Sequence, residues 1–318
     1  MIKVFISGGV KMNKVCVLGS INMDLVIKVN SMPKVGETIL SEDMKKIPGG
    51  KGANQAIAAK RSGSEVHIIG KVGKDEYGKV LTEKLSEDGI EIKNIFKDDN
   101  KNTGMALITV NKAGNNSIIV VSGSNMSISK KDILKAESVI EYCDILVSQL
   151  EVPIERVREA FIIAKKYNKL TVLNPSPSKE IHEQLMKNTD MIIPNENEAY
   201  DLTGIKVQDL ESCRKAAQFF IERGVKVVII TLGEKGAAII TENHGEIIPA
   251  YRVKVVDTTA AGDSFLGALV SKIDSKDISF ESIKEGVKFG NQVSSITIQR
   301  KGAQPSIPYA EEVEKVYR

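Results

Sequence analysis

From residue 130 onward the chain repeats one pattern, a helix-length segment followed by a strand-length apolar run. Segments 130–141, 153–167 and 209–223 read as helices, and 145–148, 170–173, 191–194 and 225–231 as strands rich in Val, Ile and Leu. Apolar runs without polar alternation are buried on both faces, and strands separated by helices pair in parallel. Right-handed crossovers then place helices on both sides of one sheet. The expected fold class is α/β in three layers, with a mostly parallel central sheet flanked by helices.

The first third varies that theme. Val15-Cys16-Val17-Leu18 is a buried strand ending at Gly19-Ser20, 65–71 a second strand and 75–88 a helix. Segments 25–45 and 95–122 are built differently. There, short β-branched runs are separated by Asp, Asn and Gly, the signature of hairpins. They predict a small antiparallel sheet apart from the main core. Gly49-Gly50-Lys51-Gly52-Ala53-Asn54-Gln55 reads as a glycine-rich turn opening a helix at 56–60. Segments 236–240 and 247–249 form a terminal hairpin, and helices at 262–273 and 280–295 close a single domain over 12–318. Residues 1–11 read as an extension ahead of Met12, too short for a secretory signal and lacking its cleavage region.

In a parallel sheet, ligands bind outside the carboxyl ends of the strands. Polar groups fall at those ends: Asn22 and Asp24, Gln149 and Glu151, Asn174 to Ser176, Asn195 to Glu198, and Thr231. Any one of them is an ordinary loop residue; five on one rim describe a cleft.

Val256-Asp257-Thr258-Thr259-Ala260-Ala261-Gly262-Asp263-Ser264-Phe265 carries the chemistry. Small residues leave the backbone uncovered just before an apolar helix, where free amides and the helix dipole attract anions. Simple capping is the competing explanation. Asn195 and Glu198, three apart, suit Mg²⁺, which takes oxygen ligands and keeps much of its water, or else they merely cap a helix. Thr231, Gly233 and Gly236 bound a glycine-walled slot that admits phosphates or a base, or form a plain turn. Gly50-Lys51-Gly52 lacks the third glycine of a dinucleotide fingerprint, Gln55 standing there, and no Walker A loop exists. The carbonyls of 300–306 and the Ser306 hydroxyl can ring a cation with Asp257.

Forty-four basic against forty-one acidic residues leave a net charge of +3, which excludes an electrostatic nucleic-acid or membrane binder. No apolar run has the length of a membrane span. Three scattered cysteines, Cys16, Cys143 and Cys213, suit a reducing, cytoplasmic setting.

The motifs Gly19 to Asp24, Gly49 to Ala56, Asn174 to Pro177, Pro194 to Ala199 and the 256–265 stretch resemble, in order and spacing, the ribokinase-like, PfkB-type carbohydrate kinases. The resemblance runs from about Met12 to the C-terminus. It implies a ribokinase-like fold with a β-sheet lid, matched by 25–45 and 95–122, and ATP-dependent phosphorylation of a sugar's 5-hydroxyl. Asp263 is then the catalytic base, and the amides of Ala260, Ala261, Gly262 and Asp263 form the anion hole. Asn22, Asp24, Gly50, Lys51, Asn54 and Glu151 hold the sugar. Asn195, Thr231, Gly233 and Gly236 hold the nucleotide, and Asn195 and Glu198 serve hydrated Mg²⁺. Asp257, Thr259, Arg300, Gly302 and Ser306 resemble an activating K⁺ site. The family commonly dimerises through the lid. Asn22 donates and accepts hydrogen bonds, favouring D-ribose over 2-deoxyribose. Rival readings are a same-family kinase for 2-deoxyribose, fructose or adenosine, and a non-catalytic sugar sensor.

Overall fold

The computed structural model describes residues 12–113 and 115–318, so the stretch expected as an extension lies outside the described residues. The chain runs β1 (Lys14–Leu18), β2 (Asn22–Val29), β3 (Asp43–Gly49), α1 (Lys51–Arg61), β4 (Glu65–Gly73), α2 (Glu76–Glu87), β5 (Glu91–Asp98), β6 (Gly104–Asn111) and β7 (Asn116–Val121). Next come α3 (Lys130–Lys135), α4 (Glu137–Tyr142), β8 (Ile145–Ser148), α5 (Ile154–Lys166), β9 (Leu170–Leu173) and α6 (Glu183–Lys187). Then follow β10 (Met191–Ile192), α7 (Glu196–Thr203), α8 (Leu210–Ile221), β11 (Val227–Thr231), β12 (Ala237–Ile240) and β13 (Gly245–Ile248). Three helices end the chain: α9 (Ala261–Lys272), α10 (Phe280–Thr297) and α11 (Ala310–Val316).

Nine strands form one sheet in the order β13-β12-β11-β10-β9-β8-β1-β4-β5. The seven from β11 to β5 run parallel, and β12 and β13 add an antiparallel edge. Alternation within β1 shows how the layers are held. Val15 and Val17 face one apolar cluster, packed with α1, α2, α9 and α10, while Cys16 and Leu18 face another, packed with α3 to α8. The expected three-layer α/β fold is borne out. Among the described residues no helix is long and apolar enough to cross a membrane.

The second sheet has four strands in the order β3-β2-β6-β7. Three details depart from expectation. First, β2 and β6 pair in parallel, so the small sheet is mixed; the chain visits the main sheet between them, and such a crossover returns it in the same direction. Second, the lid segment expected from residue 95 begins later. Residues 91–98 pair with β4 at the edge of the large sheet, as the strand after α2 in a βαβ unit. Third, within the segment expected as lid over 25–45, the second strand begins only at Asp43, where its register with β2 starts at the Asp43–Lys28 pair.

Two helix boundaries also shift. The helix expected at 130–141 is broken at Ala136 into α3 and α4. Helix α1 begins at Lys51, so only Gly50, at φ 89°, forms the turn, and Lys51, Asn54 and Gln55 are helical.

Candidate active site

The order β8-β1-β4 makes β1 a switch point, where the chain departs to opposite sides and a crevice opens at the strand ends. Two residues past Ser20 the chain enters β2, whose first residue is Asn22. Asn22 and Asp24, two apart on a strand, share a face. Register sets Asn22 between Gly49 on β3 and Gly104 on β6. A Cβ at Gly104 would lie 2.2 Å from Asn22 Oδ1, and one at Gly49 2.2 Å from Asp24 Oδ2. Both glycines are therefore space for the polar side chains of β2. Asn125 holds Asn22 in place: its Nδ2 donates to Asn22 Oδ1 at 2.6 Å, and its Oδ1 accepts from the Ile21 N–H at 3.0 Å.

The second half of the site comes from α1 and α9. They pack at glycine contact: a Cβ at Gly267 would sit 2.5 Å from both Ala58 Cβ and the Gln55 carbonyl oxygen. The start of α1 is equally close to the end of β1, since a Cβ at Gly52 would meet the Gly19 backbone at 2.6 Å. This proximity delivers two amides to Asp263, which is 8% exposed. Asn54 Nδ2 donates to Asp263 Oδ2 at 2.9 Å and Gln55 Nε2 to Oδ1 at 3.0 Å. Gln55 is fixed in turn by Gln149, whose Nε2 donates to Gln55 Oε1 at 2.5 Å.

Helices α2, α3, α7, α8 and α10 begin with a side-chain oxygen capping their amides. Helix α9 does not. Its N-cap is Ala260, left-handed at φ 61°, an uncommon conformation for a residue with a Cβ. Among the described residues, the amides of Ala260, Gly262 and Asp263 donate to nothing, whereas the Ala261 N–H reaches the Thr258 carbonyl at 3.2 Å. Of the four donors expected over 260–263, all but Ala261 are thus free. A Cβ at Gly262 would meet nothing within 4 Å, so these amides are open to a ligand.

Two cavities meet there. One of about 200 Å³ is lined by Lys51, Asn174, Asn195, Glu198 and Asp263. The other, about 1040 Å³, runs past Gly233, Gly236, Tyr251, Phe265 and Asn291. Asn195, Thr231, Thr258, Ala261 and Gly262 line both, so the open amide of Gly262 stands at their junction.

Electrostatics separate the carboxylates. Burial, then the fields of Glu151 and Asp263, push Asp24 up to about 7. Burial would lower the Lys51 ammonium, but Asp263, Glu151 and Glu198 outweigh it and hold Lys51 above its ordinary value. Glu151 accepts from the Ser20 hydroxyl at 2.5 Å. These fields and bonds bring Asp24, Lys51, Asn54, Glu151 and Asp263 into one group.

Asn195 and Glu198 do form a capping box: each side chain accepts from the other's backbone N–H, at 2.8 and 2.9 Å. Capping engages Asn195 Oδ1 and Glu198 Oε2, leaving the second carboxylate oxygen, and both residues line the two-cavity junction or its wall. One free carboxylate oxygen on this cavity wall fits a Mg²⁺ ion that keeps most of its water.

Behind α9, Asp257 accepts from the Thr259 N–H at 2.9 Å, the Thr259 hydroxyl at 2.6 Å and the Gly302 N–H at 2.9 Å. Burial works against its charge, but the Thr259 hydroxyl and the Gly302 amide hold its carboxyl below the ordinary range. The carbonyls of Thr259, Arg300 and Gly302 accept no hydrogen bond among the described residues. An all-oxygen set around a lasting carboxylate fits a hard monovalent cation. The Arg300 side chain is engaged elsewhere, its Nη2 lying 2.7 Å from Glu312 Oε2, so Arg300 can offer this group only its carbonyl. Ser306 is buried and donates to the Ala303 carbonyl at 2.6 Å.

Gln55 and Asn125 escape a reading of the sequence. Gln55 is a buried polar residue inside a helix of small apolar ones, which is a usable signal. Asn125 lies in a short 3₁₀ turn among Ser and Met, and nothing local marks it.

The model of the pfkB family of carbohydrate kinases matches residues 12–310. A ribokinase from Staphylococcus aureus is 43% identical over 96% of this chain and 99% of its own. A bifunctional ribokinase/ribose-5-phosphate isomerase A from Fructilactobacillus sanfranciscensis is 44% identical over 95% of this chain, which spans 56% of that longer protein. The structure of Arabidopsis thaliana ribokinase complexed with ribose and ATP matches with a TM-score of 0.88 at 30% identity, over 96% of this chain and 99% of that one.

Proposed function

The chain belongs to the pfkB family of carbohydrate kinases, and from that premise we propose that it transfers the γ-phosphoryl group of ATP to the 5-hydroxyl of D-ribose. The observation that carries this reading is the junction of the two cavities at the open Gly262 amide, with Asp263 beside it. Sugar sits beyond the junction on the Lys51 side, between Asn22, Asp24, Gly50, Lys51, Asn54 and Glu151, of which Lys51 lines the smaller cavity. ATP occupies the wider cleft along Thr231, Gly233, Gly236 and Asn195. Asp263 accepts the proton of the 5-hydroxyl as its oxygen bonds to the γ-phosphorus and the bond to the ADP oxygen breaks. The amides of Gly262 and Asp263 receive the charge on the transferring group, as fixed donors that need no reorganisation. Bound Mg²⁺ supplies charge neutralisation for the phosphates; Asn195 and Glu198 are the residues that would hold its water shell.

The test is an ATP-coupled assay across D-ribose, 2-deoxyribose, fructose and adenosine. D-Ribose is expected to give the highest kcat/KM, because a site that hydrogen-bonds a hydroxyl is left with unpaired polar groups by an analogue lacking it. Deoxyribose as the better substrate would overturn the sugar assignment, and no turnover with any of them would favour a sensor.

Asp24 adds a pH signature. Its value of about 7 in the free protein lies above the ordinary 3.8. A raised carboxyl contributes stability that is complete below the unfolded value and is lost as pH rises to about 7. Ribose hydroxyls donate best to the ionised form, so binding at about pH 6 releases a proton from this group. Calorimetry in buffers of different ionisation heat is expected to show that release; a binding heat independent of the buffer counts against it.

Asp257, Thr259, Gly302, Ser306 and the Arg300 carbonyl form the K⁺ site in this reading. Exchange of K⁺ for Na⁺ is expected to slow turnover, and equal rates in the two salts would remove the site. The reading extends to a cytoplasmic homodimer. Cys16, Cys143 and Cys213 are free and buried. Edge strand β7 exposes Ile118, Ile119, Val120 and Val121, a surface suited to a second lid.

A further inference from the structure

We infer that Arg61 is a positioning residue for the cation loop, fixing residues 302–306 against the helix that carries the sugar-binding groups. The inference rests on the K⁺ site proposed above. Arg61 is the last residue of α1, and its side chain is 12% exposed. Its Nη1 donates to the carbonyls of Gln304 and Ile307, each at 2.8 Å. Its Nε and Nη2 donate to the two carboxylate oxygens of Asp88, at 2.9 and 3.2 Å. The Tyr309 ring lies 4.9 Å from its Cζ.

Each contact has a consequence for the loop. The two carbonyls held by Arg61 bracket the 3₁₀ turn Gln304–Ser306, which contains the proposed ligand Ser306. With those carbonyls engaged they are unavailable to an ion, whereas the carbonyls of Arg300 and Gly302, beside the Gly302 N–H that donates to Asp257, are among those that accept no hydrogen bond among the described residues. A guanidinium near a cation site would oppose the ion. The bidentate pair with Asp88 cancels that charge and fixes the plane of the guanidinium. The loop is tied to the sugar side as well: Gln304 Nε2 donates to the Gly49 carbonyl at 3.5 Å, where β3 passes into α1. Arg61 therefore joins the far end of α1 to the loop, while Lys51, Asn54 and Gln55 stand at the near end.

The test compares wild type, Arg61→Ala and Arg61→Lys by two readouts: the half-saturating K⁺ for turnover, and the rise in melting temperature that K⁺ produces over Li⁺. Loss of the charged hydrogen bonds is expected to raise half-saturating K⁺ on the order of ten-fold in Arg61→Ala. The K⁺-dependent rise in melting temperature shrinks with it, while KM for ribose at saturating K⁺ changes little. Arg61→Lys, able to reach one carbonyl, falls between, and decides the matter if the alanine variant does not fold. A lower melting temperature with unchanged K⁺ dependence overturns the positioning role and leaves Arg61 a structural residue. A wild type indifferent to K⁺ in both readouts overturns the cation site, and this inference with it.

Discussion

Asp263→Asn is expected to lower kcat by roughly 10²–10⁴-fold, the usual worth of a general base, with ribose affinity nearly unchanged. The substitution removes the proton acceptor and keeps the shape. Its effect on folding is small for a specific reason. The carboxylate receives one N–H each from Asn54 and Gln55, so a carboxamide would set its own NH₂ against one of those donors. Asn54 Oδ1 is buried and has no hydrogen-bond partner. A half-turn of the Asn54 amide presents that oxygen to the new NH₂ and restores the pairing. Stopped assays with ribose and ATP, alongside thermal melts, check both parts. A variant with near-wild-type turnover would remove Asp263 from the role of base, and one that fails to fold would show that the carboxylate is also structural.

Gly52→Ala has the next largest expected effect, and acts through geometry alone. The added Cβ would lie 2.6 Å from Gly19 Cα and C and 2.7 Å from the Ser20 nitrogen, all backbone atoms that cannot rotate aside. Relief requires the start of α1 to move off the end of β1 by several tenths of an ångström. Overpacking of this kind costs about 1–3 kcal/mol. The same movement carries Lys51, Asn54 and Gln55 away from their partners, and a misplacement near 1 Å costs on the order of 10²-fold in kcat/KM. Melting temperature and kcat/KM are expected to fall together. Wild-type values for both would mean that the β1–α1 junction has slack that this close contact does not suggest.

The rim of the cleft is legible in the sequence because it depends on local pattern. An apolar run ends, a polar residue follows, and the parallel sheet places all such ends on one side. Asn22, Asp24, Glu151, Asn195 and Thr231 are found in that way. The contacts within the rim are not legible, since they join residues far apart in the chain. Nothing in the sequence places Gln55 against Asp263, 208 residues later, or Asn125 against Asn22. Register is hidden too. That Gly49 and Gly104 flank Asn22 follows only from the pairing of β2 with both neighbours. Without pairing, residues 95–98 look like part of the small sheet, and that sheet looks wholly antiparallel. Arg300 illustrates a third limit, because the motif fixes its backbone position while Glu312, outside the motif, takes its side chain.

The bond between Asn54 and Asp263 also has a consequence in time. The two residues are 209 apart, and at usual rates of synthesis roughly 10–40 s separate their emergence from the ribosome. Both strands that flank Asn22, and the helix bearing Lys51, are complete long before Asp263 exists. A nascent chain can therefore assemble the β2 and α1 side of the cleft before the residues that face it across the cleft exist. The Asp263 side of the cleft comes last, with α9, which packs against α1 at the Gly267–Ala58 contact.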